Sequence, residues 1–457
     1  MASTRVYRTL AANSEKKGSI SVWFKLGDIS SADRVIIGSY YDGTYHSAIK
    51  VNSDNRINIF DYRSGFVSNL TPYRMLRDPA AWYHLVFEWD TTQGAAADRN
   101  KIYINGVQET SFETETNYSA DYIPSWNRDY TLSIGARNSD QYYDGELSNL
   151  YFIQGYAYPA STFGSNDATD GMWEINTSPS VNYTGTGTNS SNLKFQDSSN
   201  MDLDSGDNTN TFTTAGTLTA TKDNPSNNFC TMNPLEKNTN NTQAFSNGNN
   251  TAVITAGYAP VGSTMSVSKG KWYVECHIDS TASSGDLNIM LGINGSYNVP
   301  GNNTLGYSAS AYGYYLYNGY MLNSNTSNSN TGGTQYVTSP GGGIVDDNKY
   351  WALALDCDNN KLYVRLDGTW LESGDPSAGT GGYGITAPAS TDWGYYRFAN
   401  GVYFGNTNTF KWNFGNGYFG TTSAGATNAD SDGYGVFKYS VPTGFKALCT
   451  AQLATYG

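Results

Sequence analysis

Two stretches of this chain repeat one plan. "AWYHLVFEWDTTQGAAADRNKIYING" runs from Ala81 to Gly106, and "DNKYWALALDCDNNKLYVRLDGTW" runs from Asp347 to Trp370. Each opens on adjacent Trp and Tyr, alternates apolar residues up to an Asp, and returns through K-[IL]-Y-[IV] to Asn-Gly or Asp-Gly. Alternation sends successive side chains to opposite faces of a strand. Asn-Gly and Asp-Gly accept the positive φ angles that a two-residue hairpin turn requires. Each copy therefore reads as an inner antiparallel hairpin of a two-sheet sandwich. Two copies about 265 residues apart read as two sandwiches in tandem, because solenoid repeats recur at much shorter periods.

The rest of the chain agrees. Only 15% of its 457 residues are charged, below the usual ~25%. Aromatic residues make up 14%, mostly through 37 Tyr, and 49 Gly with many Ser, Thr and Asn supply turns. No stretch sustains 3.6-residue apolar periodicity. "SISVWFKL" (19–26), "RINIFDY" (56–62), "GELSNLYFIQG" (145–155), "GKWYVECHI" (270–278) and "TFKWNFGN" (409–416) read as strands. In the first repeat, Tyr83, Leu85, Phe87 and Trp89 share one face, and His84, Val86, Glu88 and Asp90 share the other. The expected fold is all-β: two tandem antiparallel β-sandwiches over residues 1–164 and 225–457, with helix well under a tenth of residues. The Asn/Ser/Thr/Gly-rich stretch 165–224 is expected to be a connector packed onto its neighbours, with "SNLKFQD" and "TFTTAGTLTAT" as short strands. Tracts such as "NSNTSNSNTGG" (323–333) are expected to be exposed loops.

The net charge of −13, with no Lys/Arg cluster, excludes nucleic acid as a natural partner. No apolar stretch is long enough to span a membrane, so membrane insertion is not expected. The start, "MASTRVYRTLAANSEKK", carries no apolar signal segment. Folding in a reducing cytoplasm is expected, and the four cysteines fit it as buried, unpaired thiols. Cys276 shares a strand face with Trp272 and Val274, and Cys357 shares one with Trp351, Leu353 and Leu355. No C-x-x-C suggests a zinc or redox site.

The first half resembles the laminin-G-like, concanavalin A-like jelly rolls. The residues that carry this are "SISVWFKL", "AWYHLVFEWDTT", "KIYINGVQ" and "YYDGELSNLYFIQGYAYPASTFG". The second half resembles the SPRY sandwich through "GKWYVECHI", "LGI" at Leu291–Ile293, "DNKYWALALDCDNNKLYVRLDG" and "FKWNFGNGYF". A laminin-G-like half, then "DNPSNNFCTMNPL", "VSKGKWYVEC" and a terminal "VPTGFKALCTAQL", resembles a family of virion proteins from tailed phages of marine and cyanobacterial hosts. That resemblance runs from about residue 5 to residue 453. It implies a particle component, a fibre or decoration protein with lectin-like folds, and no single ligand.

Jelly rolls of this type also host glycoside hydrolases with a Glu-x-Asp-x-x-Glu strand, whose two carboxylates act as nucleophile and acid. Here the pattern is Glu88, Asp90, Gln93. An amide cannot protonate a leaving oxygen, so no catalytic residue is assigned and no enzyme is expected. His46, His84 and His277 stand isolated in sequence and read as structural. No G-x-S-x-G elbow or P-loop is present. No cofactor is expected. Laminin-G-like domains often hold calcium, and Asp33, Asp42, Asp140 and Asp144 lie in loops that could supply carboxylates, but EF-hand spacing is lacking and no ligand set is assigned.

Tyrosine-rich loops are the candidate binding elements. "SYYDGTYH" (39–46) and "DWGYYRFANGVYFG" (392–405) set Tyr beside Gly, Asn and Arg, a mixture that gives rigid amphipathic contact area. The residues chosen are Tyr41, Tyr45, Tyr395 and Tyr396, as exposed loop side chains. The expected function is a structural and interaction protein on the virion surface, a capsid-decorating or knob-like subunit that meets host surface glycans. The alternative is the globular tip of a tail fibre acting as receptor-binding protein; a polysaccharide-degrading enzyme or a peptide-binding adaptor are further readings. Expected partners are other capsid or tail proteins and symmetric copies of the chain. Neither heptads nor short repeats suggest a fibre shaft.

Overall fold

A computed structural model describes residues 4–29, 32–184, 188–236, 242–255, 260–280, 289–296, 304–316, 319–323, 348–402 and 407–457. They form two compact units, Met1–Ala220 with Asn224–Ser226, and Thr221–Asp223 with Asn227–Gly457. Strand accounts for 45% and helix for 5%, which places helix below the expected tenth. The tract at 323–333 lies outside the described residues beyond Asn323.

The first unit contains β1 (Arg5–Thr9), β2 (Lys17–Lys25), β3 (Arg34–Tyr40), β4 (Tyr45–Val51), β5 (Ile57–Arg63), β6 (Phe66–Pro72), β7 (Trp82–Asp90) and β8 (Asn100–Ile104). Then follow β9 (Val107–Gln108), β10 (Phe112–Thr116), β11 (Thr131–Ile134), β12 (Glu146–Gln154), β13 (Gly164–Asn166), β14 (Trp173–Ile175), β15 (Ser191–Leu193) and β16 (Thr213–Ala215). One sheet runs β10-β6-β5-β4-β3-β11-β1-β16, and the other runs β15-β12-β2-β7-β8-β9. Between them lie Ile20, Val22 and Phe24 of β2 and Leu85, Phe87 and Trp89 of β7, packed against Ile49, Ile59 and Leu132. The alternation read from 81–90 is thus the alternation that builds this core.

The other face of β7 is covered too. Val86, Tyr151 and Ile153 pack beneath Phe163 and Tyr183. The β13–β14 hairpin lies on that side, and Trp173 donates its indole N–H to His84 Nδ1 at 2.9 Å. With Nδ1 accepting, Nε2 carries the proton and donates to Ser21 Oγ at 2.8 Å. The imidazole stacks on Trp23 at 4.8 Å, while the Trp173 ring, near-parallel to it at 5.9 Å, meets it through the hydrogen bond at its edge. Asn105 and Gly106 turn β8 into β9 at φ 47° and 77°, and a Cβ on Gly106 would meet the Trp173 ring at 2.3 Å.

The connector is part of this unit. β15 pairs with β12, and β16 pairs with β1. Each covers an edge that would otherwise expose unpaired backbone groups. The connector thus clusters with the first unit, and the change to the second unit falls at residues 220–227.

The second unit contains β17 (Thr242–Ser246), β18 (Thr251–Thr255), β19 (Val261–Gly262), β20 (Lys271–Ser280), β21 (Ile289–Asn294), β22 (Ala311–Tyr315), β23 (Tyr320–Leu322) and β24 (Lys349–Asp356). After them come β25 (Lys361–Leu366), β26 (Thr369–Trp370), β27 (Tyr383–Gly384), β28 (Arg397–Val402) and β29 (Thr407–Asn413). One sheet runs β17-β18-β29-β20-β24-β25-β26, and the facing sheet runs β19-β28-β21-β22-β23. The second sequence repeat is β24–β25, inner in its sheet as β7–β8 is in the first unit. Trp351, Leu353 and Leu355 align with Leu366, Val364 and Leu362 and enter the core with Trp272, Val274 and Cys276. Asp367 and Gly368, at φ 43° and 91°, close the turn into β26.

Two buried carboxylates hold the C-terminal segment. Glu275 accepts the backbone N–H groups of Lys438 (2.8 Å) and Tyr439 (2.9 Å). Asp430 accepts from Ala447 N–H (3.0 Å) and from the Gln452 amide (2.6 Å). All four cysteines are buried thiols, none of them joined in a disulfide. Cys230 and Cys449 lie on hydrogen-bonded neighbouring segments, yet their side chains enter different apolar clusters.

Candidate functional site

The hairpin between β3 and β4 is built from "SYYDGTYH". Asp42 fixes its turn by accepting the N–H groups of Thr44 (2.7 Å) and Tyr45 (2.9 Å). Tyr45 and His46 are neighbours on β4, so they leave opposite faces of the sheet. Two sites result.

The first is a rim platform. Tyr41 is 62% exposed, and its ring lies 5.4 Å from Tyr130 and 6.4 Å from Tyr45. The Arg63 guanidinium stands 5.6 Å from the Tyr45 ring and donates to the Tyr122 hydroxyl at 3.2 Å. Tyr41 and Tyr45 are therefore brought together, but only Tyr41 is an exposed loop residue; Tyr45 is half-buried and begins β4.

The second is a groove of about 290 Å³ on the outer face of the eight-stranded sheet. Its rings are His46, Phe60, Tyr62 and Phe66, joined by Gly43, Lys50 and Asn58. His46 meets Phe60 edge-on at 5.5 Å, and Phe66 meets Tyr62 edge-on at 5.3 Å. Phe66 is 55% exposed. Burial and the nearby Arg137 charge lower the His46 pKa, so the imidazole is neutral at pH 7. Exposed ring faces and edges next to an amide and an ammonium suit a ligand with both C–H faces and hydroxyls. The four rings were not chosen from the sequence. The available signal was "RINIFDY", which is apolar at both parities: Ile57 and Ile59 enter the core, while Phe60 and Tyr62 face outward.

In the second unit, Tyr395 stacks on Trp393 at 5.5 Å, and the Arg397 guanidinium lies 4.2 Å over Trp393. Tyr396 is not an exposed loop residue. It is fully buried, it extends the sheet through a bridge to Val267, and its hydroxyl donates to the Thr386 carbonyl at 2.9 Å. Adjacent residues in extended chain point opposite ways, so Tyr395 and Tyr396 cannot share one surface.

The carboxylates at the hydrolase-like positions are committed elsewhere. Asp90 is nearly buried rather than a solvated strand-end group. It accepts from Thr92, from the Gln93 amide at 2.7 Å and from Lys17 at 3.0 Å. Burial pushes its pKa up, but these donors outweigh it and hold the group at about 2. Glu88 accepts from the Tyr103 hydroxyl at 3.2 Å. Gln93 thus acts as a hydrogen-bond donor to Asp90.

The loop carboxylates considered for calcium also have partners. Asp33 holds Lys50, Asp42 caps its turn, Asp140 pairs with Arg137, and Asp144 faces Arg34 at 3.9 Å. Among the described residues no three His, Cys, Asp or Glu side chains converge as a metal site. All three histidines lie within strands. No described helix is long and apolar enough to cross a membrane.

Comparison with known proteins bears on the first unit most directly. Residues 4–158 match the concanavalin A-like lectin/glucanases superfamily. That match covers the two-sheet core and both sites of the first unit. Among solved structures, the chain is similar to the SPRY domain of human HERC1, with a TM-score of 0.29 and 12% identity over 40% of this chain and 96% of that one. A heptameric SAP-like pentraxin from Limulus polyphemus gives 0.27 and 17% over 38% and 86%. Domain 4 of AbnA, a GH43 extracellular arabinanase from Geobacillus stearothermophilus solved with arabinotriose, gives 0.26 and 16% over 34% and 68%. No curated protein matches the chain.

Proposed function

We propose that this chain is a non-catalytic interaction protein of the phage particle surface, and that its first sandwich binds glycans. The observation that carries the glycan reading is the ring-lined groove of His46, Phe60, Tyr62 and Phe66, open on the face of a lectin/glucanase-type sandwich. Pyranose C–H faces stack on such rings while hydroxyls reach Asn58 and Lys50. Tyr41 and Tyr45, on the same hairpin, form a separate aromatic platform at the rim. The non-catalytic reading is supported by Gln93 donating to a carboxylate already held ionised. In this reading the chain decorates the capsid or forms a knob, meeting other capsid or tail proteins and copies of itself. The alternative placement is a globular fibre tip.

Two measurements test it. Binding of soluble glycans to the full chain is expected to fall at least tenfold in Tyr62→Ala and Phe66→Ala with the fold intact. Unchanged binding moves the ligand off this face. In an electron-microscopy map of intact virions, density for this chain is expected on the head lattice or its vertices. Density restricted to the tail apparatus selects the fibre-tip placement, and a virion lacking the chain refutes the particle assignment.

A further inference from the structure

Past the groove, the outward side of β5 and β6 runs on toward Tyr73. On the outward side of β5, Asn58 follows Phe60, and its amide donates to Asn69 Oδ1 (2.7 Å) and Thr71 Oγ1 (2.9 Å) of β6. Beyond Asn58, the Arg56 guanidinium lies over the Tyr73 ring at 5.9 Å. Phe66 and Tyr73, 55% and 56% exposed, flank the two ends of β6. Its seven residues span roughly 23 Å at about 3.3 Å each. That is the reach of several sugar rings, with aromatic contact at both ends; between them Asn58 and Thr71 are buried and bonded to each other, so the two aromatic ends carry the contact.

The charges along this path are already matched. Lys50 Nζ is 2.6 Å from Asp33, and Arg56 is 2.7 Å from Glu113 and 3.4 Å from Asp54. An anionic polymer would have to displace those carboxylates and approach a chain of net charge −13. Resting on the glycan reading above, we infer that the groove takes a neutral, linear glycan of several rings laid along β5 and β6, anchored by Phe66 at one end and Tyr73 at the other.

The test is calorimetric titration of the full chain with neutral linear glucans, mannans and galactans, each as the disaccharide and the hexasaccharide, and with hexameric polyuronates. A neutral hexasaccharide is expected to bind at least tenfold more tightly than its disaccharide, and the polyuronates more weakly than either. Tyr73→Ala is expected to lower hexasaccharide affinity about tenfold and to leave the disaccharide unchanged, since its exposed ring supplies only the far contact. Equal affinity for both lengths, or an unaffected Tyr73→Ala, sinks the extended path while leaving glycan binding standing. Preference for polyuronates overturns neutrality. No binding to any member removes the glycan reading and this inference together.

Discussion

Acid should loosen the first sandwich through one buried imidazole. His84 accepts from Trp173 and donates to Ser21, and burial holds its pKa at about 3, against 6.5 in an unfolded chain. A histidine kept neutral by the fold contributes stability that is complete above pH 6.5 and is lost as pH falls toward the folded value. Between pH 7.5 and pH 5 the loss from this group is about 2 kcal/mol, rising to about 3 kcal/mol at pH 4. Asp144, pushed up to about 6 by burial despite Arg34, acts with the opposite sign in the same window. The comparison that isolates His84 is therefore wild type minus His84→Gln, in which Asp144 cancels. Gln retains an acceptor for Trp173 and a donor for Ser21 but does not titrate. The assay is urea unfolding of the full chain, read by hydrogen exchange in peptides from residues 17–25 and 82–90. Wild type should lose about 2 kcal/mol more than His84→Gln between pH 7.5 and pH 5. Parallel losses would show that the imidazole is not held neutral by this pocket.

Four further outcomes are expected. Maleimide at pH 8 should label none of the cysteines in the native chain and all four after denaturation, because burial pushes Cys357 up to about 12 and Cys276 well above its ordinary value; two labels on unfolding would reveal a disulfide. Glu275→Ala should cost about 3 kcal/mol, since the Lys438 and Tyr439 N–H groups lose a buried carboxyl acceptor; limited proteolysis should then cut within 428–441, and resistance there would refute the clamp. Tyr396→Ala should cost about 3–5 kcal/mol in thermal unfolding by analogy with other large core truncations, whereas Tyr41→Ala should stay within about 0.5 kcal/mol; equal effects would contradict their placement. Gly106→Ala should release the β13–β14 hairpin, because the added Cβ meets Trp173 and the φ is positive; faster hydrogen exchange at 164–175 checks it.

How much could be read from residues alone follows from period and range. "AWYHLVFEWD" and "YWALALDC" fixed which side chains enter the cores, because a strand with one apolar parity has one way to face. Asn105-Gly106 and Asp367-Gly368 located hairpin turns for the same local reason. The same period carried a warning about Tyr395 and Tyr396, since neighbours in extended chain cannot both face solvent on one side. "RINIFDY" held the groove in plain view as a second apolar parity, but only the register with β4 and β6 shows that His46 and Phe66 complete it. Trp173 and His84 are 89 residues apart, and nothing in "TDGMWEI" marks a partner for either. β15 and β16 lie inside "SNLKFQD" and "TFTTAGTLTAT", which read as short strands, but nothing local to three residues names β12 and β1 as the edges they cover.

The outer face of the first sandwich is proposed to bind carbohydrate without cleaving it. One incubation tests both halves: full chain with the neutral hexasaccharide panel, followed by native binding measurements and by reducing-end release over the same hours. Saturable binding that Phe66→Ala weakens about tenfold is expected, with reducing ends unchanged from the protein-free control. Steady release of reducing ends, abolished by Glu88→Gln or Asp90→Asn, would contradict it.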